Sequence, residues 1–259
     1  MSENIVLFCN CQIKKDNSAW IKTATRLNHT DDIRQITLTD LCGVSAMNPD
    51  ELAGLINHPV KVLLIACHPR AVRFLLNKAG ICETDHVRFF NLVEENPDDL
   101  MTVLQNYRLP GPDTVQAREI VSDPSWPAWY PVIDEIRCNS CGQCSDFCLF
   151  GVYQKTEGKV SVVNPKNCKN NCPACARICP RVAIIFPKYA PGGAIGGSES
   201  MDETTEMQRL QQDTDAILGS DIYQALEQRK LKRRLVIRED EMEQAIRERD
   251  EALKNVMNK

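Results

Sequence analysis

Eight cysteines in two short runs carry the chemistry most evident in this 259-residue sequence. The first run is Cys138-x2-Cys141-x2-Cys144-x3-Cys148, and the second is Cys168-x3-Cys172-x2-Cys175-x3-Cys179, which Pro180 follows. Thiolate sulfur is a soft ligand for iron–sulfur clusters and for zinc. A tight loop can bring three thiolates to three irons of a four-iron cube, so the fourth ligand has to come from elsewhere. This compact spacing predicts [4Fe–4S] clusters.

Zinc sites and a disulfide scaffold are the two other uses of cysteines in such numbers. Zinc modules usually separate their cysteine pairs by about a dozen residues or more, which neither run does. Disulfides need an oxidising compartment, and the start Met1-Ser2-Glu3-Asn4 lacks the basic and apolar segments of an export signal. We therefore predict two [4Fe–4S] clusters in a cytoplasmic protein.

Residues 130–190 resemble bacterial-type two-cluster ferredoxins in this spacing. The resemblance implies that the fourth cysteine of each run binds the cluster of the other run. Cluster 1 is then assigned to Cys138, Cys141, Cys144 and Cys179, and cluster 2 to Cys148, Cys168, Cys172 and Cys175. The chain departs from the family at Leu149, where proline usually stands, and in the extra residue between the first two cysteines of the second run.

Composition narrows the class of protein further. The chain is 43% apolar, which is enough for a core, and its net charge of −4 argues against a nucleic-acid partner. The basic run at residues 229–234 lies among acidic neighbours and is typical of a solvated helix face. No apolar stretch approaches the roughly twenty residues that span a bilayer, so no membrane span is predicted.

Short apolar runs alternate with helical patterns through the first hundred residues. The runs at 4–9, 33–38, 61–67 and 87–92 are typical of buried parallel strands. Helices are predicted over 16–27, 48–58 and 70–79, and a last one after Asn96-Pro97. Strands that alternate with helices form β-α-β units. The predicted fold class is therefore α/β, a small parallel sheet, followed by an α+β ferredoxin domain and a helical C-terminal tail.

Four further cysteines follow predicted strands: Cys9, Cys11, Cys42 and Cys67. All four fall at carboxyl ends of strands, the edge at which open parallel sheets bind ligands. They could hold a third iron–sulfur cluster, or they could be small buried hydrophobic residues, a common fate of free cysteine. Geometry alone does not choose between these two uses. Cys82 lies before the fourth strand, nearer the opposite edge, and has no partner in this pattern.

Residues 4–106 resemble the N-terminal module of the heterodisulfide reductase A-subunit family. The shared motifs are Cys9-Asn10-Cys11, Leu41-Cys42-Gly43 and Ala66-Cys67-His68-Pro69-Arg70. That module is associated with an iron–sulfur cluster, so the resemblance implies a third cluster on the four N-terminal cysteines. Gln12 stands where the family usually has glycine, and no Gly-x-Gly-x-x-Gly follows a strand. We therefore expect neither the family's flavin domain nor a bound flavin in this chain.

His68 and Arg70 allow two interpretations. Arg70 could orient a carboxylate of a partner or balance the charge of a cluster, since it starts a helix beyond the rim of the sheet. Alternatively, His68-Pro69 is simply a turn that begins the helix. We favour the turn.

The predicted domains are 1–107, 108–130, 131–190, 191–200 and 201–259. The 108–130 connector is rich in proline and tryptophan, with aromatic residues expected to pack within the chain and a short helix over 113–121. The segment 191–200 is a glycine-rich, flexible linker by composition. The tail has an apolar stripe at helical spacing, formed by Met242, Ala245, Ile246, Leu253, Val256 and Met257. We expect these helices to dock on another subunit.

These features favour an electron-transfer subunit of a larger oxidoreductase complex. Its expected partners are a flavoprotein, a hydrogenase or formate dehydrogenase, or another reductase. Two alternatives remain at the level of sequence. The N-terminal cysteines could form a catalytic iron–sulfur site with an open coordination position, or they could be reversible thiols of a redox sensor. No general base or nucleophile is evident outside the cysteines, so no catalytic residue is assigned.

Overall fold

The computed structural model describes residues 4–11, 17–30, 32–56, 61–82, 84–108, 118–202, 204–206, 208, 212 and 227. The chain separates into two compact units, Met1–Leu210 and Gln211–Lys259. Almost all of the second unit lies outside the described residues, and so does the predicted apolar stripe at residues 242–257. The fold below is that of the first unit. No helix of the described residues has the length and apolar character of a membrane span.

A five-stranded parallel sheet forms the first half of this unit. Its strands are β1 (Ile5–Cys9), β2 (Gln35–Leu38), β3 (Val62–Ala66), β4 (Val87–Asn91) and β5 (Arg118–Ile120), in the order β4-β3-β1-β2-β5. The four predicted strands and the α/β fold class are confirmed. Because β2 and β3 flank β1 on opposite sides, the chain reverses direction across the sheet at β1, which creates a topological switch point.

Alternation along the strands builds a separate core on each face of the sheet. Leu7 and Leu64 face one core with the helices that follow β2 and β3, whereas Phe8 and Ile65 face the other core with Trp20. Every residue of β1 and β3 is buried. This double coverage explains why both strands are continuously apolar in sequence rather than alternating.

Five helices connect and cover the strands. They are α1 (Ser18–Asn28), α2 (Leu41–Met47), α3 (Pro49–Ile56), α4 (Pro69–Lys78) and α5 (Leu100–Leu104), with 3₁₀ turns at Pro97–Asp99 and Gln105–Tyr107. Helix α2 is absent from the prediction, which recognised only the helix after it. Asp40 caps α2 by accepting a hydrogen bond from the Cys42 N–H at 3.1 Å.

The helix predicted over 113–121 is wrong for the described part of that range, because Arg118–Ile120 forms strand β5. β5 pairs in parallel with β2, from Ile36↔Arg118 to Leu38↔Ile120. The Thr39 hydroxyl then accepts a hydrogen bond from the Ser122 N–H at 2.8 Å. Pairing with a distant edge strand thus decides the conformation of a segment whose local pattern allows a helix.

The second half of the unit carries the two cysteine runs. Two short antiparallel pairs frame it: β6 (Val132–Ile133) with β9 (Ile184–Ile185), and the hairpin β7 (Tyr153–Thr156) with β8 (Lys159–Val162). Helices α6 (Gln143–Phe147) and α7 (Ala174–Arg177) lie within the two runs. A third core holds Val152, Phe186 and Ile195 together with six of the eight cysteines. Below, the sheet half is called the N-terminal lobe and residues 131–190 the ferredoxin lobe.

Aromatic residues of the connector fill the junction between these lobes, as predicted. Trp129 stacks on Phe186 in the ferredoxin lobe, with ring centroids 5.1 Å apart. Trp126 stacks on Tyr130 at 5.6 Å, and the Tyr130 hydroxyl donates to the Cys42 carbonyl at 2.7 Å. The connector therefore belongs to both cores.

Arg70 is a structural residue at the same junction rather than a ligand for a partner. Its guanidinium pairs with Asp134 at 2.7 Å and donates to the carbonyls of Val182 at 2.8 Å and Ala194 at 3.1 Å. Both charged side chains are buried. His68 occupies the N-cap position of α4 ahead of Pro69 and makes no side-chain capping bond, in keeping with the turn interpretation.

The glycine-rich segment differs from the flexible linker that its composition predicts. Gly193–Gly196 forms the short helix α8, in which Ala194 and Ile195 are buried. The Phe186 N–H donates to the Ile195 carbonyl at 2.7 Å. Gly197 continues with a left-handed φ of 100° against Ala71 of α4. Glycine is used here for close approach of backbones as well as for turning.

Candidate iron–sulfur sites

The first cysteine cavity is small and lies in the ferredoxin lobe. Its sulfur-bearing residues are Cys138, Cys141, Cys144 and Cys179. Three of these come from one tight loop, and the fourth comes from the end of the other run. This is the grouping assigned to cluster 1 from the ferredoxin resemblance. Val160 and Ile184 add apolar walls to the cavity.

Left-handed backbone allows the loop to wrap around this cavity. Ser140 has a φ of 56° and Gly142 a φ of 92° between the three cysteines. Within this turn the Ser140 N–H donates to Cys138 Sγ at 3.4 Å, and after the second run the Ala183 N–H donates to Cys179 Sγ at 3.4 Å. Hydrogen bonds of this kind stabilise the negative charge of a metal-bound thiolate.

The second cysteine group comprises Cys148, Cys168, Cys172 and Cys175. The Cys168 thiol lies close enough to Cys148 and Cys172 to interact with both electrostatically, and Cys175 interacts with Cys168 and Cys148 and also with Cys144 of the first group. These four residues are those assigned to cluster 2. Tyr153 donates its hydroxyl to Cys175 Sγ at 3.1 Å from within the same core.

The N-terminal cysteine cavity lies at the carboxyl edge of the parallel sheet. It is lined by the four predicted cysteines of this lobe, Cys9, Cys11, Cys42 and Cys67. Cys9 ends β1 and Cys67 follows β3, so the cavity lies at the topological switch point. The Leu41 N–H, at the start of α2, donates to Cys9 Sγ at 3.3 Å.

Lys188 enters the N-terminal cysteine cavity from the ferredoxin lobe. It follows β9 in sequence, yet its ammonium donates to the Asp40 carboxylate and to the Pro127 carbonyl. Both charged side chains are buried. Burial opposes the charged form of Lys188, but the neighbouring Cys42 and Asp40 outweigh it and hold the pKa of this ammonium above its ordinary value.

Burial is the largest influence on the pKa of several buried or half-buried thiols. It raises the pKa of Cys144 to about 12, with a further contribution from Cys179. It likewise raises the pKa of Cys168 to about 12, together with Cys148 and Cys172. Burial also raises the pKa of Cys9 and of Cys42. Such thiols lose their protons only when a metal replaces them.

The donor chemistry of all three sites fits iron–sulfur clusters. All thirteen cysteines lie in the described residues, and each is free of disulfide bonds. Within the described part of the chain, no three histidine, cysteine, aspartate or glutamate side chains converge as ligands of one metal ion would. A cube places each thiolate on a different iron, so ligands held further apart are compatible with it. Cys82 is exposed and lines none of the three sites; its thiol donates to Asn77 at 3.1 Å.

Sequence reasoning located the cysteines but missed the polar residues around them. Tyr153, Asp40 and Lys188 have no role in the predictions, because none belongs to a spaced motif. In the sequence, Lys188 is marked only by its position shortly after the second cysteine run. That position does not indicate that its side chain reaches a cavity in the N-terminal lobe.

Comparison with known proteins supports the ferredoxin-like part of this assignment. An uncharacterized ferredoxin from Methanocaldococcus jannaschii is 49% identical over 61 residues. The matched stretch amounts to 23% of this chain and 42% of that protein, so less than half of the relative's length is covered. No protein-family model matches the sequence, and no solved structure matches it significantly. The similarity supports a ferredoxin-like iron–sulfur domain in this chain.

Proposed function

We propose that this protein is an electron-transfer protein that binds three [4Fe–4S] clusters. Two are held in the ferredoxin lobe by the eight spaced cysteines, and the third in the N-terminal cysteine cavity. The observation that carries the proposal is the grouping of Cys179 with Cys138, Cys141 and Cys144 around one cavity. This crossover is the ligand pattern of two-cluster ferredoxins.

Iron–sulfur clusters supply reversible one-electron chemistry when bound. The chain's own residues would set the conditions for it. Apolar side chains line parts of the two cavities, and N–H and O–H donors at Cys9, Cys138, Cys175 and Cys179 would offset the charge on sulfur. These contacts favour the reduced form, because reduction adds a negative charge to a site already rich in thiolate.

The packing of the two lobes supports electron transfer between the N-terminal and ferredoxin sites. Cys168 of the second cysteine group packs against the core that contains the N-terminal cysteines. Trp126 and Tyr130 pack at the same junction, and Tyr130 contacts the backbone of Cys42. Direct packing of this kind keeps sites close, as an electron relay requires.

We further propose a heterodisulfide-reductase-like assembly for the whole chain. The first 107 residues then correspond to the N-terminal module of that family, and residues 201–259 dock on another subunit. The partners are oxidoreductase subunits, including a flavoprotein as donor or acceptor, in the cytoplasm. Support comes from the three N-terminal motifs, whose four cysteines line one cavity.

Reductive titration of the anaerobically purified protein tests the electron-transfer proposal. Stepwise addition of dithionite should deliver about three electrons per chain, one for each cluster, and air-free oxidation should return them. Cys175→Ser should remove about one of the three, whereas the matched control Cys82→Ser should keep all three. A protein that takes up no electrons reversibly would contradict the proposal.

Affinity purification of the full chain from its native cells then identifies the partner subunits.

A further inference from the structure

The N-terminal cysteine cavity contains one side chain that belongs to the other lobe. Of the described residues that line it, Lys188 is the one cation, and it shares the cavity with four cysteines, Cys9, Cys11, Cys42 and Cys67. Lys188 and its hydrogen-bond partner Asp40 are 8% and 5% exposed. An ammonium is therefore held, with little solvent around it, in a cavity lined by four cysteines, and it interacts electrostatically with Cys42 and Cys11.

Stability is a poor explanation for this buried pair. Removing an ammonium and a carboxylate from water costs several kcal/mol per ion, and apolar replacements of buried pairs are often neutral or stabilising. Other interactions already hold the two lobes together at this junction. Arg70 pairs with Asp134 across it, and the Tyr130 hydroxyl donates to the Cys42 carbonyl. The cavity's own charge gives Lys188 a more specific role.

The cavity would carry a net negative charge with a cluster bound. The four thiolates outweigh the positive charge of a four-iron core, Asp40 adds another negative charge, and each electron taken up would add one more. A nearby buried cation interacts more favourably with the reduced state than with the oxidised state, and the low dielectric of the interior strengthens the difference.

We propose that Lys188 is a positioning residue that raises the reduction potential of the cluster in the N-terminal cysteine cavity. The inference rests on the proposed third cluster. One electron arrives from a low-potential donor and remains on the cluster, no proton or bond is transferred, and the ammonium stabilises the added charge. Because Lys188 belongs to the ferredoxin lobe, the docking of that lobe sets how readily the N-terminal site accepts an electron. Asp40 orients the ammonium and caps α2, which carries Cys42.

The test compares potentials in variants that differ in this one charge. Lys188→Gln keeps a donor for Asp40 and Pro127 but removes the charge, whereas Lys188→Arg keeps the charge. Redox titration of the full chain with dithionite, followed by EPR, resolves each cluster. At a fixed applied potential, Lys188→Gln should lower the reduced-to-oxidised ratio of the N-terminal cluster on the order of tenfold. Lys188→Arg should stay near the wild type.

A matched control comes from the ferredoxin lobe. The exposed Lys155 donates to the Cys141 carbonyl at 3.2 Å, beside the first cysteine cavity. Lys155→Met removes a positive charge close to a different site, so it should leave the N-terminal cluster unchanged. If both lysine variants lowered the reduction potential of the N-terminal cluster equally, the effect would come from the overall charge of the protein and not from the position of Lys188.

Two further measurements separate the possible failures. About eight irons per chain in the wild type would overturn the third cluster and this inference with it. About twelve irons with an unchanged or higher potential in Lys188→Gln would overturn the inference alone. If Lys188→Gln does not assemble its cluster, the single variant Asp40→Asn is compared with the double variant Asp40→Asn/Lys188→Gln. These two proteins differ only in the charge at position 188, and neither contains a buried unpaired carboxylate. The double variant should have the lower potential of the two, and equal potentials would overturn the inference.

Discussion

In the second cysteine group, a tyrosine hydroxyl donates a hydrogen bond to a cysteine sulfur. Tyr153 donates to Cys175 Sγ at 3.1 Å and is buried in the core of the ferredoxin lobe. A hydrogen bond to a metal-bound sulfur stabilises the reduced cluster. We predict that Tyr153→Phe lowers the reduction potential of cluster 2, with a smaller effect on cluster 1, as measured by EPR-monitored titration.

The control for that substitution is Tyr107→Phe. Tyr107 is equally buried, but it packs on the face of the parallel sheet turned away from the cysteines. This variant should leave all cluster potentials unchanged. If Tyr153→Phe also left cluster 2 unchanged, the hydroxyl would have no part in setting the potential.

Iron uptake by the apoprotein should depend on pH. Burial raises the pKa of Cys144 and of Cys168 to about 12. Both thiols are therefore protonated at neutral pH, and each must release a proton to bind iron. Raising the pH makes that release easier, so reconstitution with iron and sulfide should be faster at pH 8.5 than at pH 6.5. Cluster formation is measured by the absorbance at about 400 nm, with the same iron concentration at both pH values. Uptake that is equally fast at both pH values would contradict this account.

The position of the four N-terminal cysteines at one edge of the sheet was predictable from sequence, whereas their polar surroundings were not. Because each follows a predicted strand, Cys9, Cys11, Cys42 and Cys67 were expected to lie near one another, and in the structure they line one cavity. Lys188 could not be predicted, because it is 148 residues away from its partner Asp40. A contact of that separation depends on how the lobes pack, and no local pattern records it.

At the scale of elements, helix α8 and Gly197 hold the end of the ferredoxin lobe against α4. A Cβ added at Gly197 would lie 2.6 Å from the Ala71 Cβ, and the backbone there has a φ of 100°. Both the clash and the left-handed backbone oppose any side chain. We predict that Gly197→Ala destabilises the fold by about 2–4 kcal/mol. Loss of visible absorbance and of circular dichroism should occur at a lower temperature than in the wild type.

Gly54→Ala provides the matched control. Gly54 lies in the exposed part of α3, and a Cβ there would meet no atom within 4 Å. Alanine favours helices over glycine, so this variant should be neutral or more stable by up to about 1 kcal/mol. Equal effects of the two substitutions would show that the contact between Gly197 and α4 does not stabilise the fold.

The elements themselves were predictable to different degrees. β1 and β3 stand out in the sequence, because strands covered on both faces are continuously apolar. β5 does not, since Arg118 and Glu119 are exposed and only Ile120 is buried. For the glycine-rich segment, the sequence predicted a flexible linker where the structure has the short helix α8. Its composition permits flexibility, but the buried contacts of Ala194 and Ile195 fix it.

For the whole molecule, the account requires the two lobes to remain docked. Arg70 bridges them through its buried pair with Asp134 and two carbonyl acceptors. Removing one partner of a buried pair leaves the other charge uncompensated. We predict that Arg70→Met costs about 3–5 kcal/mol and slows electron transfer between the N-terminal and ferredoxin sites. Thermal unfolding and the rate of reoxidation after partial reduction measure the two effects.

Arg73 on the same helix is the natural comparison. Its guanidinium lies 3.6 Å from Glu199, and both side chains are about half exposed. Exposed pairs contribute at most about 1 kcal/mol, so Arg73→Met should change stability little and electron transfer not at all. Similar losses in both variants would argue against a specific junction at Arg70.

The central claim is that three groups of four thiols each hold an iron–sulfur cube. Its most direct test is the iron and acid-labile sulfide content of the anaerobically purified full chain, with EPR of the reduced protein. The account predicts about twelve irons and twelve sulfides per chain, falling by about four in Cys42→Ser. About eight irons, unchanged in Cys42→Ser, would contradict the N-terminal cluster. Folded protein without iron would contradict the account as a whole.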